Sequence, residues 1–209
     1  MPRGLGHQGS MTIDVLSALA LFALITSITP GPNNLMLMAS GANFGFARTV
    51  PHMMGITLGF MVMLLLVGFG LIRVFDAFPV IYTVLKILSL IYLIYLAYKI
   101  ATAAPVQSAD PNAKPLSFLQ AAGFQWVNPK AWAFGLSIIT IYVPSAGILP
   151  LVITALVVAV MALPSVTLWT LLGGQMARVL TNPRRLRVFN VTMAALLVAS
   201  LLPALWPAS

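Results

Sequence analysis

Apolar residues run through the chain in six long blocks, at 13–42, 51–72, 80–100, 116–143, 148–173 and 188–205, separated by short polar clusters. Roughly 20 apolar residues are what an α-helix needs to cross a bilayer. The pattern therefore predicts an all-α membrane protein with six transmembrane helices. Two blocks are too long for one straight crossing at about 1.5 Å per residue. Both carry helix breakers near their middle: Thr29-Pro30-Gly31-Pro32-Asn33-Asn34 in the first, Asn128-Pro129-Lys130 in the fourth. Proline removes a backbone donor and collides with the preceding turn, so the first helix of each half is predicted to be broken at proline. In hydrocarbon, freed backbone groups are costly unless protein or trapped water satisfies them. Breaks of this kind, in corresponding positions of two halves, point to a binding site.

The halves cover residues 12–102 and 116–209 and are joined by a linker at 103–115, where Pro105, Asp110, Pro111, Lys114 and Pro115 give the composition of an exposed loop. Each half opens with the broken block and continues with two ordinary ones. Three crossings is an odd number, so the second half enters the membrane from the opposite side, which predicts two inverted three-helix repeats. Residues 1–11 read as a disordered tail, with Met11 an alternative start, because no signal-peptide pattern is visible. Finer expectations are a turn at 43–49 carrying Arg48, close helix packing through Gly55 and Gly59, a helix end at Gly173-Gly174, a kink at Pro164 and an interfacial anchor at Trp206.

Composition narrows the class. Hydrophobic residues are 60% of the 209, charged residues 7%, and mean hydropathy is +1.01. A soluble core could not bury that much apolar surface with so few charges to cover it. The net charge of +8 would suggest a nucleic-acid partner in a soluble protein. Here the basic residues sit in short loops and report orientation instead. Arg48, Lys99, Lys114, Arg178, Arg184, Arg185 and Arg187 fall on one side, against Arg3 and Arg73 on the other, with Lys86 inside the third block. The first side is expected in the cytoplasm, with both termini outside. With no cysteine and no cluster of histidine and acid, metal and disulfide architectures are not expected. No cofactor motif, carboxylate pair or nucleophile motif is present, so an enzyme is not expected.

The breaks hold the candidate chemistry. Pro32 and Pro129 suit the first turn of a helix, where a missing N–H is no loss, and Gly31 and Asn128 before them suit the cap. Each restarting half-helix aims orphan N–H groups and a partial positive charge at what lies before it. Two such ends meeting near the midplane would hold an anionic group such as a carboxylate. Thr29, Pro30, Asn33, Asn34 and Gln125 are placed at similar depth, and Lys130 adds a full charge. An intramembrane lysine reads as functional by default. It could bind a substrate carboxylate, carry a proton during transport, or brace the unwound carbonyls of the first helix. His52 is a second proton-coupling candidate, although a lone interfacial histidine also serves structure. The three acids, Asp14, Asp76 and Asp110, all lie at block ends or in loops. With no acid at depth a dicationic substrate is disfavoured, and a zwitterion fits better.

These residues resemble the LysE/RhtB-type amino-acid exporters, small carriers of the bacterial inner membrane. The likeness is carried by TPGPNN at 29–34, Gly41, Gly45 and Arg48, GITLGF at 55–60, Phe118, Gln125 and VNPK at 127–130. YKIAT at 98–102 and AKPLSFLQAAGFQWVNPK at 113–130 are similar to the branch that exports cysteine and O-acetylserine. Many relatives have an acid where this chain has Phe60, a departure that argues against lysine or arginine as cargo. The resemblance implies a secondary exporter of neutral amino acids or close derivatives, driven by the proton motive force, with a possible homodimer. The alternatives are a carrier of another small metabolite or ion, and a membrane-embedded scaffold or enzyme.

Overall fold

In the computed structural model the described residues are 11–71, 73, 77–78, 80–103, 114–143 and 147–199. The expected tail at 1–10, Asp76, Pro79, the linker from 104 to 113 and the anchor Trp206 lie outside them. The described chain is helical, with no strand. The helices are α1 (Ile13–Ile28), α2 (Pro32–Phe44), α3 (Phe46–Leu66, continued by a π-helical turn Val67–Leu71), α4 (Val80–Ala101), α5 (Phe118–Gln125), α6 (Pro129–Tyr142), α7 (Ile148–Val179) and α8 (Pro183–Ala199). Side-chain caps start them where the sequence supplies one. The Thr12 hydroxyl accepts from the Val15 N–H ahead of α1, and Ser117 and Gln120 form a reciprocal capping box at α5.

Three helical stretches are long and apolar enough to cross a membrane: Phe46–Leu71, Thr83–Ala101 and Ile148–Val179. The pair α1–α2, bent by 58° at the first break, is a fourth if counted as one span. The remaining two expected spans are present as α5 and α6, of 8 and 14 residues, and as α8, of 17. By length alone these fall short.

Two boundaries differ from expectation. The turn expected at 43–49 is one residue, Gly45, whose φ of 78° ends α2 and leads into α3. The helix then starts at Phe46, with Pro51 inside it, and Thr49 donates its hydroxyl to the Gly45 carbonyl at 2.8 Å. Gly173 and Gly174 do not end the fifth block either, because α7 runs on to Val179. Gly173 is there for packing. A Cβ on it would collide with the Met38 carbonyl, and one on Gly41 would collide with the Thr170 carbonyl. Glycines facing each other in this way let α2 lie on α7 backbone to backbone, the most extensive helix contact among the described residues.

The expected Gly55 and Gly59 face is also used within the chain. A Cβ on Gly55 would meet the Phe118 carbonyl, and one on Gly59 the Ala122 backbone, so α5 occupies that groove and a second copy does not. Two apolar cores flank the breaks. One joins Leu19, Phe60, Leu64, Ile138 and Val158 from α1, α3, α6 and α7. The other joins Met36, Leu93, Phe124 and Leu197 from α2, α4, α5 and α8. Large apolar side chains also cover the outside, among them Ile25, Ile91, Leu156 and Leu171, as a lipid-facing surface requires.

Candidate functional site

The C-terminus of α1 leaves carbonyls without helical partners, and side chains from three other helices meet them. Asn34 of α2 donates both amide protons, to Ser27 O and Thr29 O, each at 2.8 Å. Ser165 of α7 donates to Ser27 O at 2.7 Å, and Trp169 of α7 donates its indole N–H to Ile28 O at 3.1 Å. Thr29 turns its own hydroxyl back to Thr26 O at 2.7 Å. This is how the break is tolerated: freed acceptors are satisfied by protein rather than by water.

α2 restarts with Gly31 as its cap and Pro32 in its first turn, and α6 restarts with Pro129 in the same place. Asn128 caps α6 through its side chain, accepting from the Lys130 N–H at 3.1 Å. Lys130 then reaches across to the first break. Its Nζ donates to Thr29 O at 2.7 Å, Thr29 Oγ1 at 2.9 Å and Pro30 O at 3.4 Å. An ammonium has three protons, and all three have acceptors here. In this conformation Lys130 therefore braces the unwound carbonyls, one of the roles open to it from sequence. A substrate carboxylate would have to draw it away from them.

The two breaks are joined a second time by a pair of amides. Asn33 Nδ2 donates to Gln125 Oε1 at 2.9 Å, and Gln125 Nε2 donates back to Asn33 Oδ1 at 3.2 Å. A cavity of about 60 Å³ lies where these groups converge, lined by Gly31, Asn33, Asn34, Gln125, Asn128 and Lys130 among others. At about 10–15 Å³ of such space per water, it holds a few waters and no amino acid. The orphan N–H groups at the starts of α2 and α6 border it. On one side the cavity is closed by Phe60 and Phe134, stacked at 5.1 Å, with Phe22 against Phe134 at 5.9 Å.

All ten substrate-site candidates thus fall at one junction, though Thr29 and Pro30 are exposed and touch it through Lys130. His52 is elsewhere. It stands one turn before Ile56 on α3 and is buried. Sequence reasoning missed Thr57, whose buried hydroxyl lines the cavity without a partner. It missed Ser165 and Trp169 as well, and the reciprocal amide pair of Asn43 with Asn190 at 2.9 and 3.1 Å. Polar side chains in the middle of apolar blocks are the signal that would have found them.

Comparison with known proteins shows the family. Residues 24–202 match the family of LysE type translocators. The chain is 34% identical to cysteine/O-acetylserine efflux proteins of Salmonella choleraesuis and Salmonella typhimurium over 195 residues, which is 90% of this chain and 96% of each relative. It is 32% identical to the cysteine/O-acetylserine efflux protein of Escherichia coli strain K12 over 193 residues, with the same coverage. No solved structure matches the chain.

Proposed function

As the chain belongs to the LysE translocator family and is a transporter, not an enzyme, we propose that it exports a neutral, zwitterionic amino acid of the cysteine or O-acetylserine kind. The single observation that carries this reading is the meeting of Lys130 and two half-helix starts on one small cavity. The substrate carboxylate takes the place of the Thr29 and Pro30 carbonyls on Lys130 and faces the N–H groups that open α2 and α6. Its ammonium takes the carbonyls that Lys130 gives up, together with the Asn33 and Gln125 side-chain oxygens. Asp14, at the exposed start of α1, is the one acid among the described residues, so a second positive charge on the substrate has no counter-ion at the junction.

The same reading takes the chain as six spans of the bacterial inner membrane arranged as two inverted repeats, with the basic loops in the cytoplasm. Part of the packing supports the symmetry: α3 lies on α5 as α1 lies on α7, and α3 with α7 and α4 with α8 pair across the axis, whereas the close contact of α2 with α7 has only a slight counterpart in α6 with α3. Access alternates between the two sides of the junction. The aromatic stack of Phe22, Phe60 and Phe134 closes the outer path here, and export requires it to part. The proton motive force drives the cycle, with Lys130 and His52 as the groups that exchange protons.

The test is efflux from preloaded proteoliposomes, with and without an imposed proton gradient. The panel is cysteine, O-acetylserine, serine, threonine, leucine and lysine. Gradient-dependent loss of a neutral member is the expected result. Export of lysine alone would overturn the substrate class.

A further inference from the structure

A second cavity, about ten times larger at about 640 Å³, lies on the other side of the amide pair from the aromatic stack. Its walls come from α2, α3, α4 and the stretch leading into α5, and they include Ser40, His52, Lys99, Lys114, Leu116 and Gln120. The imidazole of His52 is 1% exposed, and neither ring nitrogen has a hydrogen-bond partner. A buried ring with both nitrogens unmet, set in the wall of a cavity, is a group without its partner. The hydroxyls beside it are already ordered. Thr49 donates to the Gly45 carbonyl at 2.8 Å, so the proton between Ser40 Oγ and Thr49 Oγ1, 3.0 Å apart, belongs to Ser40. Ser40 is thereby left as an acceptor. At the mouth stand the exposed side chains of Lys99 and Lys114, and among the described residues no acid lines the cavity.

We propose that this cavity is a separate binding site for zwitterionic amino acids, centred on His52 and in series with the junction of the two breaks. Neutral imidazole offers one donor and one acceptor. A zwitterion answers both, its carboxylate taking the His52 N–H and its ammonium facing the free ring nitrogen and Ser40 Oγ. Lys99 and Lys114 draw the carboxylate end first to the mouth. Three helices pass from one cavity to the other within a few residues: Met36 to Asn33 on α2, His52 to Ile56 on α3, Gln120 to Gln125 on α5. Asn33 and Gln125, with the buried apolar side chains beside them such as Met36 and Phe124, stand between the two sites. In the exporter reading, on which this inference builds, the second site is the cytoplasmic loading site.

The chain has no cysteine, so a single Leu116→Cys substitution gives the cavity one reactive thiol. The full-length variant in inside-out vesicles of neutral phospholipid is labelled with an anionic, membrane-impermeant methanethiosulfonate. O-Acetylserine at ten times its dissociation constant should slow labelling about tenfold by simple occupancy. Acetate or ethanolamine at the same concentration should protect far less. Protection should vanish with His52→Leu, persist with His52→Gln, which keeps a donor and an acceptor, and persist with Lys130→Met, which disables the junction. Protection unchanged by His52→Leu, lost in Lys130→Met, or absent altogether overturns the proposal. Efflux measured in the same vesicles separates the two ideas: protection without export leaves this site standing and removes the exporter reading.

Discussion

Two carbonyls at the first break each have two partners, and that redundancy makes a quantitative prediction. Ser27 O accepts from Asn34 Nδ2 at 2.8 Å and Ser165 Oγ at 2.7 Å. Thr29 O accepts from Asn34 Nδ2 at 2.8 Å and Lys130 Nζ at 2.7 Å. Asn34→Ala removes two hydrogen bonds yet leaves each carbonyl one donor. Inside membrane proteins such bonds measure about 0.6 kcal/mol on average and about 1.7 at most. Asn34→Ala should then cost about 1–3 kcal/mol, and Ser165→Ala about 1 kcal/mol. The double variant is different, because Ser27 O then loses both of its side-chain donors. Leaving a buried acceptor unmade costs about 1–3 kcal/mol, so the double variant should exceed the sum of the singles by about that amount. Reversible unfolding in mixed micelles, run as a double-mutant cycle, reads the coupling. Strict additivity would show that Ser27 O is not shared, and the account of how the break is tolerated would fall with it.

Other substitutions separate packing from transport. Gly173→Ala forces a Cβ against the Met38 carbonyl and should destabilise by about 1–3 kcal/mol, whereas Gly174→Ala meets nothing within 4 Å and should be neutral or slightly stabilising; thermal unfolding of the two purified variants decides. Lys130→Met removes a charged hydrogen bond to substrate worth about 1.5–3 kcal/mol, so export should fall about 10- to 100-fold at equal reconstituted protein. Wild-type rates in that variant would confine Lys130 to bracing. Thr57→Val deletes a buried hydroxyl that has no partner, so stability should hold while KM for export rises about two- to tenfold. A loss of stability with unchanged KM would mean that Thr57 serves packing alone.

Much of this was legible in the sequence because lipid imposes simple rules. Prolines and a glycine clustered within a few residues of an apolar block signal a break, and Pro32, Pro129 and Asn128 occupy the cap and first-turn positions their chemistry suits. What the pattern could not supply was partner choice. Lys130 had several physically sound roles, and only the positions of Thr29 and Pro30 showed which one this conformation adopts. Gly173 read as a helix end because glycine in isolation signals both termination and close approach, and the neighbour across the interface decides between them. His52 read as interfacial from its place near a block end. The helix in fact begins five residues earlier than expected, at Phe46 rather than 51, and the ring is buried by the helices packed around it, which a position along one chain does not reveal.

The central claim is that a substrate carboxylate displaces carbonyls from Lys130 at the junction of the two breaks. Solid-state magnetic resonance tests it on full-length protein in bilayers, with ¹⁵Nζ-labelled lysine and O-acetylserine labelled with ¹³C at the carboxylate. The account predicts a dipolar contact at ion-pair range, about 4 Å or less, that disappears in Lys130→Met and survives in His52→Leu. A bound substrate whose carboxylate shows no contact with Lys130, or the same contact after Lys130→Met, would contradict it.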